Sequence, residues 1–157
     1  MAVNILSIKN SLKNLIDKNN TNTSSYNVSA SMTSKVAYIT GGNSKRQPVL
    51  NINYPAIFVE LASTVDDHIT MGMTARRETE AEFNIVAVTD YGQGTGEDGE
   101  EIDNEMIQLT QNIHNLLRNY ITLSNTVDSC LITGTNYITD EGYNARSEIQ
   151  LRIKRRG

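Results

Sequence analysis

The chain predicts an α+β fold: a mixed or antiparallel sheet with an N-terminal helix and one long helix packed on it, plus a long β-hairpin arm. Three patterns carry that expectation. Ile5, Ile8, Leu12, Leu15 and Ile16 recur at helical spacing near the start. Ile102, Met106, Leu109, Ile113, Leu116 and Tyr120 step by four, three, four, three and four, the stripe of a helix that packs one face on a sheet. Near the end, Ile149, Leu151 and Ile153 alternate with Glu148, Gln150, Arg152 and Lys154, as in a strand with one wet face.

The elements follow in order. The first helix is expected over 3–18, with Lys9, Lys13 and Lys18 on its polar side. "NNTNTSSYNVSASMTS" (19–34) is almost wholly polar and offers little to bury, so it reads as a loop or a solvent-facing ribbon. "KVAYIT" (35–40) and "VLNINY" (49–54) have strand character around the turn "GGNSKRQP". Together 19–54 predicts an extended loop or hairpin arm with Lys45 and Arg46 at its tip. Residues 19–47 are expected to be mobile in the free protein and ordered by neighbouring subunits, since two strands alone are marginal in water. "AIFVELAS" suits a strand covered on both faces, and "VDDHITMGMT" is expected to connect it to the next. "ARRETEAEFNIVAVTDY" (75–91) begins charged and ends apolar, like a strand leaving solvent for the core. The long helix is expected over about 101–124. "SCLITGTNYIT" and "ARSEIQLRIKRR" close the chain as a hairpin around "DEGYN".

At 157 residues the chain has the length of one domain, 1–157, with no repeat and no boundary inside it. A domain of that size buries roughly 68–70% of its unfolded surface and needs no staples. The net charge of −4 provides no global basic field for nucleic acid or membrane. Cys130 is the single cysteine, so an intrachain disulfide and a multi-cysteine metal site are both excluded. Beside Leu131 and Ile132 it reads as a buried thiol. The N-terminus interleaves polar with apolar residues, unlike a signal peptide, and no apolar run reaches the roughly 18 residues of a membrane span. The expectation is a soluble protein made in a reducing compartment.

Gly94-Thr-Gly-Glu-Asp-Gly99 fits G-x-G-x-x-G, the loop that brings backbone amides to a pyrophosphate. Its context argues against that chemistry. Seven carboxylates (Asp90, Glu97, Asp98, Glu100, Glu101, Asp103 and Glu105) stand between 90 and 105 without one Lys or Arg. Two like charges about 4 Å apart repel by ~4 kcal/mol even at an effective dielectric of 20. The same carboxylates suit the first turn of a helix, each contributing ~0.3–1 kcal/mol against the macrodipole. Calcium is the next reading of 90–105, but Gly92 and Gly94 stand where an EF-hand needs side-chain ligands. A solvated loop that starts a helix is the reading retained, and no cofactor is expected.

No catalytic or metal constellation stands out. His68 and His114 are the only histidines, too far apart for H-x-x-x-H or H-E-x-x-H, and read as a loop and a helix-face residue. The serines of 19–34 do not form G-x-S-x-G. "RRETEAE" sets Arg76 and Arg77 against Glu78, Glu80 and Glu82 as a charged ribbon, solvated or pairing across a subunit boundary. The C-terminal Arg152, Lys154, Arg155 and Arg156 form a basic cluster, a solubilising tail or a patch for a partner.

The layout of an N-terminal helix, a long polar arm, "PAIFVEL", "AEFNIVAVTDY", "EEIDNEMIQLTQNIHNLLRNYI" and "ARSEIQLRIKRR" resembles the tail terminator proteins of tailed bacteriophages over nearly the whole chain. The resemblance rests on architecture and segment character, because the family has no catalytic signature to match. It implies a non-enzymatic structural virion protein that forms a hexameric ring, caps the tail tube, ends tail polymerisation and offers a surface for head attachment. Head-tail joining (neck) proteins share a similar fold and are the alternative, followed by a small ligand- or calcium-binding domain using 90–105. The implied partners are further copies of the chain, the tail tube protein, neck and head-completion proteins, and genomic DNA passing through the lumen without sequence-specific contact; no membrane is implied. The implied location is the neck region of the virion tail, after assembly in the host cytoplasm. Candidate interface residues are Lys45, Arg46, Arg76, Arg77, Glu97, Asp98, Glu100, Arg152, Lys154, Arg155 and Arg156.

Overall fold

The computed structural model describes residues 4–44, 53–68, 77–90, 99–123, 127–139 and 144–156. The N-terminal apolar stripe folds as α1 (Ile5–Lys18), opened by Asn4, whose side chain accepts a hydrogen bond from the Ser7 amide at 3.1 Å. Such a cap satisfies one of the amides that a helix start leaves without an intrahelical partner. The chain continues through β1 (Tyr38–Thr40), β2 (Ala56–His68), β3 (Arg77–Asp90), α2 (Gly99–Asn119), β4 (Ser129–Thr139) and β5 (Asn144–Arg156). The strands form one sheet in the order β1-β2-β3-β5-β4. β1 runs parallel to β2 and every other pairing is antiparallel, which makes the sheet mixed and the fold α+β.

Both helices lie on one face of the sheet. Ile8, Leu12 and Ile16 of α1 and Met106, Leu109, Ile113 and Leu116 of α2 share a core with Ile57, Val59, Phe83, Ile85, Ile149 and Leu151. The alternate residues of β2 and β3 turn the other way. Ala56, Phe58, Val86 and Val88 form a second, smaller buried cluster against which Tyr38 and Tyr54 pack. The first half of β2 is therefore covered on both faces, as its continuous apolar run predicts.

Beyond a register irregularity between Leu61 and Ser63, β2 leaves the core, and Leu61–Val65 are exposed. The strand nevertheless runs on to His68, so Val65–His68, expected in a connection, are paired with β3 instead. His68 accordingly ends a strand rather than sitting in a loop. α2 starts two residues before its expected onset and stops at Asn119; Tyr120 follows the helix, half-buried. The closing hairpin is present, with Thr139 opposite Ala145.

The hairpin arm expected over 19–54 requires correction. Tyr38–Thr40 pairs in parallel with Ala56–Phe58, and 45–52, which holds most of the expected return strand, lies outside the described residues. The chain before it is tied down by its own polar groups. Asn112 of α2 donates to the carbonyls of Val28 and Ala30 at 3.0 and 2.8 Å, and Tyr26 donates to Asn119 Oδ1 at 3.0 Å. Asn20 donates to the Val36 carbonyl at 3.0 Å, while the Val36 amide donates to Ser29 Oγ at 2.9 Å. Val28 and Val36 are buried in the main core. Polar side chains here close turns on the chain itself, and two valines anchor the turns, so 19–44 belongs to the domain. The expected tip, Lys45 and Arg46, lies outside the described residues.

Candidate functional site

The sheet face away from the helices carries the charge. Period two places Glu80 and Glu82 of β3 on that face, and the antiparallel register sets them opposite Lys154 and Arg152 of β5. Lys154 Nζ lies 3.1 Å from Glu80 Oε1, and Arg152 is 3.9 Å from Glu82. The second distance is an ion pair without a hydrogen bond. Both pairs are partly exposed, and contacts of that kind contribute at most about 1 kcal/mol each. The next rung by register sets Glu78 against Arg156. Ser63 Oγ also donates to Glu82 at 3.3 Å, and Glu60 accepts from the Ser44 amide and hydroxyl at 3.0 and 3.2 Å.

The two charge blocks read as separate in sequence are thus neighbours in one sheet. The acidic run of "RRETEAE" neutralises the basic C-terminal strand within the same chain, so Arg152 and Lys154 do not form a patch of one sign. Arg155, half-buried, lies on the alternate parity, opposite Thr79. Arg77 opens β3 and Glu100 lies in the first turn of α2. Arg76, Glu97 and Asp98, with the rest of the Gly94-to-Asp98 stretch, lie outside the described residues. The first turns of α2 do present Glu101 and Asp103 to solvent, and Glu105 accepts a hydrogen bond from the Thr33 amide.

A groove of about 390 Å³ runs between the start of α2, the end of β4 and the start of β5, lined by Asp103, Met106, Ile107, Tyr137, Ile138 and Arg146. Ile107 and Tyr137 are exposed there. Arg146 Nε is buried without a hydrogen-bond partner. Further along the same flank, His114 Nε2 and Thr135 Oγ1 are 2.8 Å apart, joining α2 to β4. Burial pushes the His114 pKa below its ordinary value, and the nearby Arg118 charge pushes it the same way. Burial also drives the Cys130 thiol up to about 12, which keeps it protonated and unreactive at neutral pH. Among the described residues no three His, Cys, Asp or Glu side chains are grouped so as to hold a metal ion.

Two structural contacts escape the apolar pattern altogether. Thr110 Oγ1 and Ser147 Oγ meet at 2.8 Å inside the core, and Asn112 joins α2 to the polar segment. Their only signal in the sequence is polar residues placed beside the Leu109–Ile113 stripe. No protein-family model matches the chain, and no curated protein matches it either.

Proposed function

We propose that this is a structural protein of a phage virion, a tail terminator that caps the tail tube as a closed ring of six and offers the head its attachment surface. The observation that carries the reading is the order of elements: an N-terminal helix, a polar segment, two long strands, a long helix and a closing hairpin. That is the order the resemblance to tail terminators implies. The one-sided layering adds support, because it leaves a charged stretch of the sheet face for contact with other subunits. A neck protein of the same fold would use the same surfaces one layer higher in the virion. Electron microscopy of the purified protein, alone and mixed with tail tubes, tests the reading. Six-subunit rings on tube ends are the expected result; protein that ignores tube ends, or sits on them as single copies, refutes it.

A further inference from the structure

β4 is the outermost strand on one side of the sheet, eleven residues long, and "SCLITGTNYIT" contains no charged residue and no proline. β2, β3 and β5 all carry charge. An exposed edge is ordinarily guarded by lysine, proline, a bulge, shortness or a cover, since its unpaired amides and carbonyls template another strand. Of these defences β4 has one irregularity, between Ile132 and Gly134. Among the described residues the only backbone cover beyond the sheet is at its start, where the Cys130 amide donates to the Ile121 carbonyl. Exposed apolar side chains flank the strand on both faces. Leu131, opposite Arg152, stands on the charged face; Tyr137, opposite Ser147, stands on the helix side with Ile107 beyond it.

We propose that the β4 edge is a self-association edge, paired antiparallel with the β4 edge of a second copy of this chain. Charge selects that occupant. An uncharged strand is best met by another uncharged strand, and β4 is the longest one the described sheet contains. Pairing β4 with β4 also sets the two β5 strands, whose Arg152 and Lys154 already face Glu82 and Glu80, three strand spacings apart, about 14 Å. That exceeds the Debye length of about 8 Å at physiological salt, so the copies approach without repulsion. Main-chain hydrogen bonds hold the pair, and the flanking Leu131, Tyr137 and Ile107 leave water as it forms. A two-fold pair consumes the edge in both copies and closes with two chains. It is a different contact from the head-to-tail interfaces of a ring and does not rest on the tail reading.

Sedimentation velocity and native mass spectrometry between about 1 and 100 µM provide the test. Twice the chain mass is expected for the wild type, with β4 amides whose hydrogen exchange slows as concentration rises. Asn136→Lys places a charge on an exposed position whose cross-strand neighbour is Glu148, so the fold tolerates it. Leu131→Glu does the same opposite Arg152. Each variant should raise the dimer dissociation constant at least about tenfold with an unchanged circular dichroism spectrum. A wild type monomeric throughout the range overturns the inference, as do charged variants that pair as tightly as the wild type. Rings that assemble on tails while free protein stays monomeric would leave the ring reading standing and sink this one.

Discussion

The two edges of the sheet are built on opposite plans. β1 is three residues long, its N-terminal flank is bonded by Asn20 and Ser29, and its Tyr38 ring meets Phe58 edge-on at 6.3 Å. β4 is long, uncharged and, past Cys130, uncovered among the described residues. The polar segment before β1 anchors that side. Its Asn20 and Ser29 hold the backbone of Val36, two residues before the short edge strand begins. A run poor in apolar residues thus serves as a structural anchor.

Three substitutions break or sharpen this contrast. The largest effect is expected from Phe58→Ala, which empties the buried cluster beneath β1. Loss of a fully buried phenylalanine typically costs about 3–5 kcal/mol. Chemical denaturation should show it, with faster hydrogen exchange at 38–40 than at β4; equal acceleration at both edges would mean that β1 has no separate anchor. Asn112→Ala should cost about 1–3 kcal/mol, because it strands the Val28 and Ala30 carbonyls. Exchange should quicken across 26–36 while the sheet stays protected. The smallest effect belongs to the β4 side. The folded state holds His114 neutral, its pKa depressed, so its contribution is present above the ordinary value of 6.5 and is lost as pH falls through the lower folded value. The melting temperature should therefore fall more between pH 7 and pH 5 in the wild type than in His114→Gln. Parallel curves for the two proteins would show that protonation of His114 does not loosen the α2–β4 contact.

Period decided what could be read in advance. The stripes of α1 and α2 place Ile8, Leu12, Leu109 and Ile113 in the core without ambiguity, because few other arrangements bury residues three and four apart. Alternation likewise gave the wet and dry faces of β5. Period two says which residues share a face but not which strand lies alongside. Glu80 and Glu82 therefore looked like one block and Arg152 and Lys154 like another, when register makes them partners. The polar segment escapes a reading by composition for a related reason. Composition reports that Asn19, Asn20, Asn27 and Ser29 hydrogen-bond readily, but not whether they bond to water or to the chain. Asn112, the residue that settles the matter, lies more than eighty positions away in sequence.

The irregularity between Ile132 and Gly134 makes the length of β4 itself a piece of information. Leu131 and Tyr137 are six positions apart, an even step that simple alternation would assign to one face. The extra residue at 133 reverses the phase, so the two side chains stand on opposite faces. Were Thr133 instead paired in plain alternation, Thr135 would swing away from His114, and Asn136 and Ile138 would turn beneath the helix. Deleting Thr133 would keep Gly134 opposite Gln150 and Thr135 opposite Ile149, whereas a one-residue slip that absorbed the bulge would change what each residue from Gly134 to Ile138 touches. One unpaired position thus acts as a clutch between two half-strands, setting the hand that each offers to its surroundings.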